Sequence, residues 1–153
     1  MKRGDVVDDF VLPDQTGADR RFSDFLAQGP VVLFFYPAAM TSGCTKEACH
    51  FRDLAAEFAA VGGQRVGIST DAVDKQAQFA QKERFDYPLL SDADATVATA
   101  FGVKRGLLGK FMPVKRTTFV IDTDRRVLDV IASEISMDSH ADKALEVLRK
   151  RAK

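Results

Sequence analysis

The chain has no excess of either charge: 22 Lys and Arg residues are matched by 22 Asp and Glu. That balance gives no push towards nucleic acid or an acidic membrane surface. No apolar run approaches the roughly 20 residues of a membrane-spanning helix. The N-terminus, MKRGDVVDDF, lacks the apolar core of a secretory signal, so the expected compartment is the cytoplasm. No repeat, low-complexity segment or linker interrupts the 153 residues, a length suited to one domain, 1–153, with a sizeable core. Cysteine and histidine are scarce, with two of each. Zinc sites favour two closely spaced ligand pairs; Cys49 and His50 are adjacent, but no second pair accompanies them and His140 is far away, which argues against metal. A cysteine hydrolase needs a histidine base beside its nucleophile, and two histidines leave little for that role. The C-x-x-C of a disulfide reductase is absent, since four residues separate Cys44 from Cys49.

What the chain does have is concentrated between Val31 and Asp53, VVLFFYPAAMTSGCTKEACHFRD. Val31–Tyr36 is apolar at every position, the pattern of a strand buried on both faces in a parallel sheet. After Tyr36-Pro37 and a short polar turn, Thr41 or Ser42 opens a helix. Its apolar positions Ala48, Phe51, Leu54, Ala55, Phe58 and Val61 step by three and four, and Gly62-Gly63 ends it. Val66–Ser69 reads as a second strand, completing a βαβ unit.

The flanking segments fill out an α/β domain with a central mixed sheet. Residues 4–12 and Asp19–Phe22, around the turn Asp14–Gly17, predict an N-terminal β-hairpin. Ser23 is the expected N-cap of a short helix over Asp24–Ala27. A helix from Asp71 or Ala72 to Arg84, an extended Leu89-Leu90 and a helix over Ala93–Phe101 follow. Residues 103–115 read as a loop, whose Leu107, Leu108, Phe111 and Met112 are expected to pack on their own domain. Thr117–Ile121 and Val127–Ile131 form an antiparallel pair around a turn. A last helix starts at Ser139 or His140 and turns Ala144, Leu145, Val147 and Leu148 inward.

Cys44 falls in the first turn of its helix. Backbone N–H groups there have no helical partner, and the helix dipole is positive there; both favour a thiolate. Lys46 is close in sequence, the Thr41 hydroxyl can bond the sulfur or an oxygen beside it, and Pro37 can shield the sulfur from water. Five residues of ideal helix rotate about 500° and rise about 7.5 Å. A disulfide needs Cα atoms about 4.4–6.8 Å apart. Cys44 and Cys49 therefore either form no disulfide or form one coupled to local unwinding. A reducing cytosol makes two close cysteines candidates for redox chemistry; the alternative, two small buried hydrophobes, stays open on composition. Arg116 lies just before a strand. With Lys104, Arg105, Lys110 and Lys115 nearby, the residues alone favour a surface arginine over a buried one that stabilises a thiolate and a bound anion.

The octapeptide Pro37–Cys44, PAAMTSGC, resembles the P-x-x-x-T-x-x-C signature of peroxiredoxins. FFYPAAMTSGCTKEACHFRD resembles the active-site segment of the peroxiredoxin Q subfamily, also called bacterioferritin comigratory protein, and GDVVDDFVLPDQTG, GISTDAVDKQAQFA, YPLLSDADATVATAFGV and RTTFVIDTDRRVLDV extend the resemblance over nearly the whole chain. It implies a thioredoxin-like fold and reduction of hydrogen peroxide and organic hydroperoxides without metal, flavin or other cofactor. By position, Cys44 resembles the peroxidatic cysteine and Cys49 the resolving cysteine of members that keep it in the same helix. Thr41 resembles the residue that bonds the peroxide, Pro37 the one that shields the site, and Arg116 the arginine that activates thiolate and peroxide. Glu47 falls where a supporting Glu or Gln often stands. The chain departs from many members at Ser42, where they have proline, so its first helical turn is expected to open more easily. The implied partners are a peroxide and thioredoxin or a similar dithiol reductant, with no nucleic acid or membrane; a monomer is expected, with a homodimer as the alternative. The competing reading is a peroxide-responsive redox sensor or thiol-exchange module with little turnover.

Overall fold

The structure is a computed structural model that describes residues 1–105 and 113–152. Five strands form its central sheet: β3 (Val31–Phe35), β4 (Gln64–Ser69), β5 (Leu89–Ser91), β6 (Thr117–Ile121) and β7 (Val127–Ala132). Their order is β5-β4-β3-β6-β7. β3 and β4 run parallel, as do β4 and β5; β6 runs antiparallel to both β3 and β7. A separate hairpin pairs β1 (Val11–Pro13) with β2 (Asp19–Arg21). It is shorter than the sequence suggests, because residues 4–7 turn to β7 instead: Val6 bridges Arg126, and the Gly4 N–H donates to Val127 O at 2.8 Å.

Every residue of β3 is buried, and its side chains alternate between two cores. Val31, Leu33 and Phe35 meet Phe22, Phe25 and Leu26 of α1 (Phe22–Leu26) and Val97, Ala98 and Phe101 in and after α5 (Thr96–Ala100). Val32 and Phe34, with Tyr36, face α2 (Ser42–Asp53), α3 (Ala55–Ala60), α4 (Val73–Glu83) and α6 (Met137–Ala152). Helices thus cover both faces of a mixed sheet, the thioredoxin-like arrangement that the resemblance implies.

Four further details differ from the sequence reading. Ser23 lies inside α1 rather than capping it; Asp9 takes the capping part, accepting from the Ser23 N–H at 2.8 Å and hydroxyl at 2.9 Å. The helix after Cys44 is two helices, because Leu54 leaves the helical region at φ −96°, ψ 21°. Seven residues of straight helix rise about 10.5 Å, whereas the buried rings of Phe51 and Phe58 lie 5.9 Å apart, so the break lets both fill one core. Segment 103–115 is paired at its base, where Lys104 bridges Val114 and the Arg105 N–H donates to Pro113 O at 2.8 Å. Leu107, Leu108, Phe111 and Met112 lie outside the described residues. Finally, α6 starts at Met137, and His140 and Ala141 are fully buried on its inner face while Val147 is only partly so.

Candidate active site

β3 ends at Phe35, and the chain leaves it through Tyr36 and Pro37, both buried. The loop to α2 is tied to the end of β4: the Ala39 N–H donates to Asp71 Oδ2 at 2.7 Å, and the Ser69 hydroxyl donates to the same oxygen at 2.7 Å. Met40 takes a left-handed φ of 65°, which turns the chain into Thr41. Thr41 is the N-cap, and its carbonyl accepts from the Thr45 N–H at 2.8 Å. Cys44 is the third residue of α2, where backbone N–H groups lack a partner from a preceding turn.

Arg116, at the entry to β6, is buried at 4% exposure rather than lying on the surface. The antiparallel β3–β6 pair places Thr117 beside Phe35, and so brings Arg116 under the start of α2. Its Nη2 donates to Cys44 Sγ at 3.3 Å and its Nη1 to Glu47 Oε1 at 3.0 Å. Cys44 and Glu47, three residues apart, share one helix face, so a single guanidinium fork spans both. Lys46, by contrast, is exposed, and the cation at the sulfur is Arg116.

A cavity of about 290 Å³ opens over this corner, lined by Pro37, Ala38, Thr41, Gly43, Arg116, Glu134 and Met137. Thr41 is exposed on its rim, and its hydroxyl donates to Ala38 O at 2.8 Å rather than to sulfur. Its oxygen can therefore accept a hydrogen bond from a bound hydroperoxide while keeping that bond. Gly43 leaves room for the guanidinium: a Cβ there would stand 3.2 Å from Arg116 Nη2 and 3.7 Å from Met137 Sδ. A second cavity of about 290 Å³, lined by Arg20, Gln64, Arg65 and Asp86, involves neither cysteine, and its guanidinium groups already pair with Asp14 and Asp86.

Cys49 is half-buried, and α2 is continuous through both cysteines, which are free thiols. The Cys49 thiol donates to Glu83 Oε2 of α4 at 3.4 Å. Burial, and then that hydrogen bond, push Cys49 up to about 11, which holds it as the protonated thiol in this conformation. His50 joins its Nε2 to Asp142 Oδ1 at 2.7 Å, linking α2 to α6. Among the described residues no group of three or more His, Cys, Asp or Glu side chains is placed to hold a metal ion, and no helix is long and apolar enough to cross a membrane.

Behind Arg116 lies a layer of which the sequence reading named only Glu47. Glu134 Oε1 accepts from the Arg116 backbone N–H at 3.0 Å and from Arg105 Nη2 at 2.8 Å. Glu47 and His140 are fully buried, and Glu47 Oε2 stands 3.5 Å from His140 Nδ1. Burial raises Glu47 to about 8, outweighing the pull of Arg116, and burial lowers His140 from its usual value. One signal for His140 was available: it shares a helical stripe with Ala141, Ala144 and Leu148, and a buried histidine needs partners.

The AhpC/TSA family model matches residues 3–130. Peroxiredoxin Bcp of Escherichia coli K12 is 39% identical over 155 residues, 99% of this chain and 98% of that protein. The crystal structure of peroxidoxin BcpB of Mycobacterium tuberculosis is 77% identical, with a TM-score of 0.94 over 98% of this chain and 97% of that one. The bacterioferritin comigratory protein of Xanthomonas campestris is 30% identical, with a TM-score of 0.84 over 94% and 92%.

Proposed function

The chain belongs to the AhpC/TSA family and is a thiol-dependent peroxidase of the peroxiredoxin type; on that premise we propose that Cys44 is its peroxidatic cysteine and Cys49 its resolving cysteine. The observation that carries this reading is the Arg116 Nη2 donor, 3.3 Å from the Cys44 sulfur beside an open cavity. The Cys44 thiolate attacks the terminal oxygen of a peroxide. The O–O bond breaks, the sulfur is oxidised to a sulfenic acid, and the leaving oxygen departs as water or an alcohol after taking up a proton. Arg116 and the free N–H groups of the first turn of α2 surround the oxygens on which charge develops, while the Thr41 oxygen accepts a hydrogen bond from the hydroperoxide O–H and orients it. Pro37 closes one wall against water.

In the second half of the cycle α2 unwinds from its start, and the Cys49 thiol condenses with the sulfenic acid to form a Cys44–Cys49 disulfide and water. The intact helix that separates the two sulfurs, and the Glu83 bond that keeps Cys49 protonated, support an order in which unwinding precedes resolution. Thioredoxin or a similar dithiol protein then exchanges with the disulfide. The Xanthomonas relative is described by its alkyl peroxide reduction activity. The apolar wall of Pro37, Ala38 and Met137 supports organic hydroperoxides beside hydrogen peroxide here. We place the protein in the cytoplasm, acting as a monomer.

Steady-state peroxide consumption with thioredoxin and its reductase tests the cycle. Cys44→Ser abolishes consumption; Cys49→Ser allows one oxidation per molecule and loses turnover. Full activity in Cys44→Ser would overturn the assignment.

A further inference from the structure

The Thr41 hydroxyl has one proton, and it goes to Ala38 O, 2.8 Å away. That carbonyl belongs to the same peptide group as the Ala39 N–H, which donates to Asp71 Oδ2 at 2.7 Å. The peptide is trans, so its C=O and N–H point to opposite sides of one rigid plane. A partner that holds the N–H therefore also sets the direction of the carbonyl. The carbonyl in turn sets the hydroxyl proton of Thr41, which otherwise rotates freely. Asp71 and Thr41 thus sit at the two ends of one short relay, with a single peptide plane between them.

Asp71 is itself held from behind. Its Oδ1 stands 3.5 Å from Lys75 Nζ, and its Oδ2 also accepts from the Ser69 hydroxyl at 2.7 Å. Ser69 Oγ accepts from Gln76 Nε2 at 2.9 Å. The same nitrogen donates to Leu90 O at 2.9 Å, and a carbonyl only accepts, so the Gln76 amide oxygen is left to face the Tyr36 hydroxyl, which donates to it. Tyr36, Ser69 and Gln76 are buried, and every bond in this chain runs towards Asp71. Buried donors of this kind are costly to leave unpaired, which keeps the order of the chain fixed. The network grips the loop after β3 at Tyr36 and again at Ala39. Between those two points lie Pro37 and Ala38, which wall the cavity.

We propose that Asp71 is a positioning residue for the peroxide: acting through the peptide group between Ala38 and Ala39, it commits the Thr41 hydroxyl proton to the Ala38 carbonyl, so that the Thr41 oxygen is left to accept from the hydroperoxide O–H. Asp71 does not line the cavity and does not contact the sulfur. Its effect falls on how the peroxide is oriented, not on how the thiolate is formed, since Arg116 and the start of α2 serve the sulfur. The inference rests on Cys44 being the reacting thiol.

The test uses the full chain carrying Cys49→Ser, so that each molecule consumes one peroxide, and follows that single turnover with hydrogen peroxide. Asp71→Ala slows it by about tenfold, the scale of one hydrogen bond lost at the reacting centre. The midpoint of Cys44 thiolate formation, read by ultraviolet absorbance against pH, does not rise. Asp71→Asn, whose amide oxygen can take both donors, returns most of the rate. Thr41→Val is slow by itself, and adding Asp71→Ala to it costs no further rate, because Asp71 acts through the hydroxyl that is gone. Four results each overturn the inference while leaving the assignment of Cys44 intact: an unchanged rate in folded Asp71→Ala, no recovery in Asp71→Asn, an equal loss in the Thr41→Val background, or a rise in the thiolate midpoint that accounts for the lost rate. Absence of any peroxide consumption by the Cys49→Ser protein would instead overturn that assignment, and the inference with it. A second measurement leaves Asp71 in place. Thr41 is exposed, so Thr41→Val is expected to fold, and loss of its hydroxyl weakens the bond on the other side of the same peptide. The Ala39 amide proton resonance of isotope-labelled protein moves upfield in Thr41→Val. A resonance that does not move upfield overturns the inference even if Asp71→Ala fails to fold.

Discussion

Arg116 reaches across 72 residues of chain to place its Nη2 3.3 Å from the sulfur of Cys44. The same guanidinium holds Glu47, so its removal acts on reactivity and on stability by separate routes. Arg116→Met is expected to slow single-turnover oxidation by about 10²–10³-fold, the effect of losing one preorganised donor to developing charge. It should also lower folding stability by about 1–3 kcal/mol, because the buried Glu47 carboxyl, raised to about 8 by burial, loses its hydrogen-bond donor. Adding Glu47→Met removes the unpartnered carboxyl and recovers part of the stability and none of the rate. Urea unfolding and stopped-flow peroxide reaction on the two variants separate the two effects.

Gly43 makes the approach of Arg116 possible, since an added Cβ would lie 3.2 Å from Nη2. Alanine is favoured over glycine in a helix interior by about 1 kcal/mol, so Gly43→Ala should not destabilise the fold. Its peroxide reaction should nonetheless slow by about tenfold or more, as the guanidinium is displaced from the sulfur. A variant as stable as the parent but slower is the expected outcome; equal rates would show that the fork tolerates displacement.

Ser42 occupies the first position of α2 and is exposed. Proline is well suited to that position, because its fixed φ matches the helix and its missing N–H had no helical partner. Ser42→Pro should stiffen the turn that must unwind before Cys49 can reach Cys44. Formation of the sulfenic acid is then unchanged, disulfide formation is slower, and a larger fraction of Cys44 is driven to sulfinic acid at high peroxide. Mass spectrometry of the peroxide-treated protein reads that fraction.

Glu47 gives the folding equilibrium a distinctive pH dependence. Its folded value is about 8 against an ordinary 4.5, so between those values the folded chain binds more protons than the unfolded one. Stability from this group is therefore complete below about 4.5 and is lost as pH rises through about 8. His140, lowered by burial, acts in the opposite sense, and only below its ordinary 6.5. Asp14 and Asp86 are held below their ordinary 3.8 and act at lower pH still. The interval from 6.5 to 8 isolates Glu47: the urea midpoint should fall across it in the parent and stay level in Glu47→Gln.

Much of this geometry can be read from the chain, and the parts that cannot have identifiable reasons. β3 is legible because a strand buried on both faces has no polar position, and Cys44 because a turn, a cap and a helical stripe fix its place. Arg116 is not legible from local pattern: its neighbours are cationic, and only the β3–β6 register carries it under α2. The resemblance supplied what composition concealed. Glu134 and His140 escaped because their partners lie on other elements, and a single charged residue gives no periodic signal. The break at Leu54 escaped because the apolar stripe continues through it, while the choice between one helix and two depends on how Phe51 and Phe58 share a core.

The most direct test of the central claim is the stoichiometry of peroxide consumed per chain, with intact mass recorded before and after one equivalent of hydrogen peroxide. The parent is predicted to lose two hydrogens as the Cys44–Cys49 disulfide forms. Cys49→Ser is predicted to gain one oxygen at Cys44, and Cys44→Ser to consume no peroxide. Consumption of peroxide by Cys44→Ser, or a gain of oxygen at Cys49 with Cys44 untouched, would contradict the account.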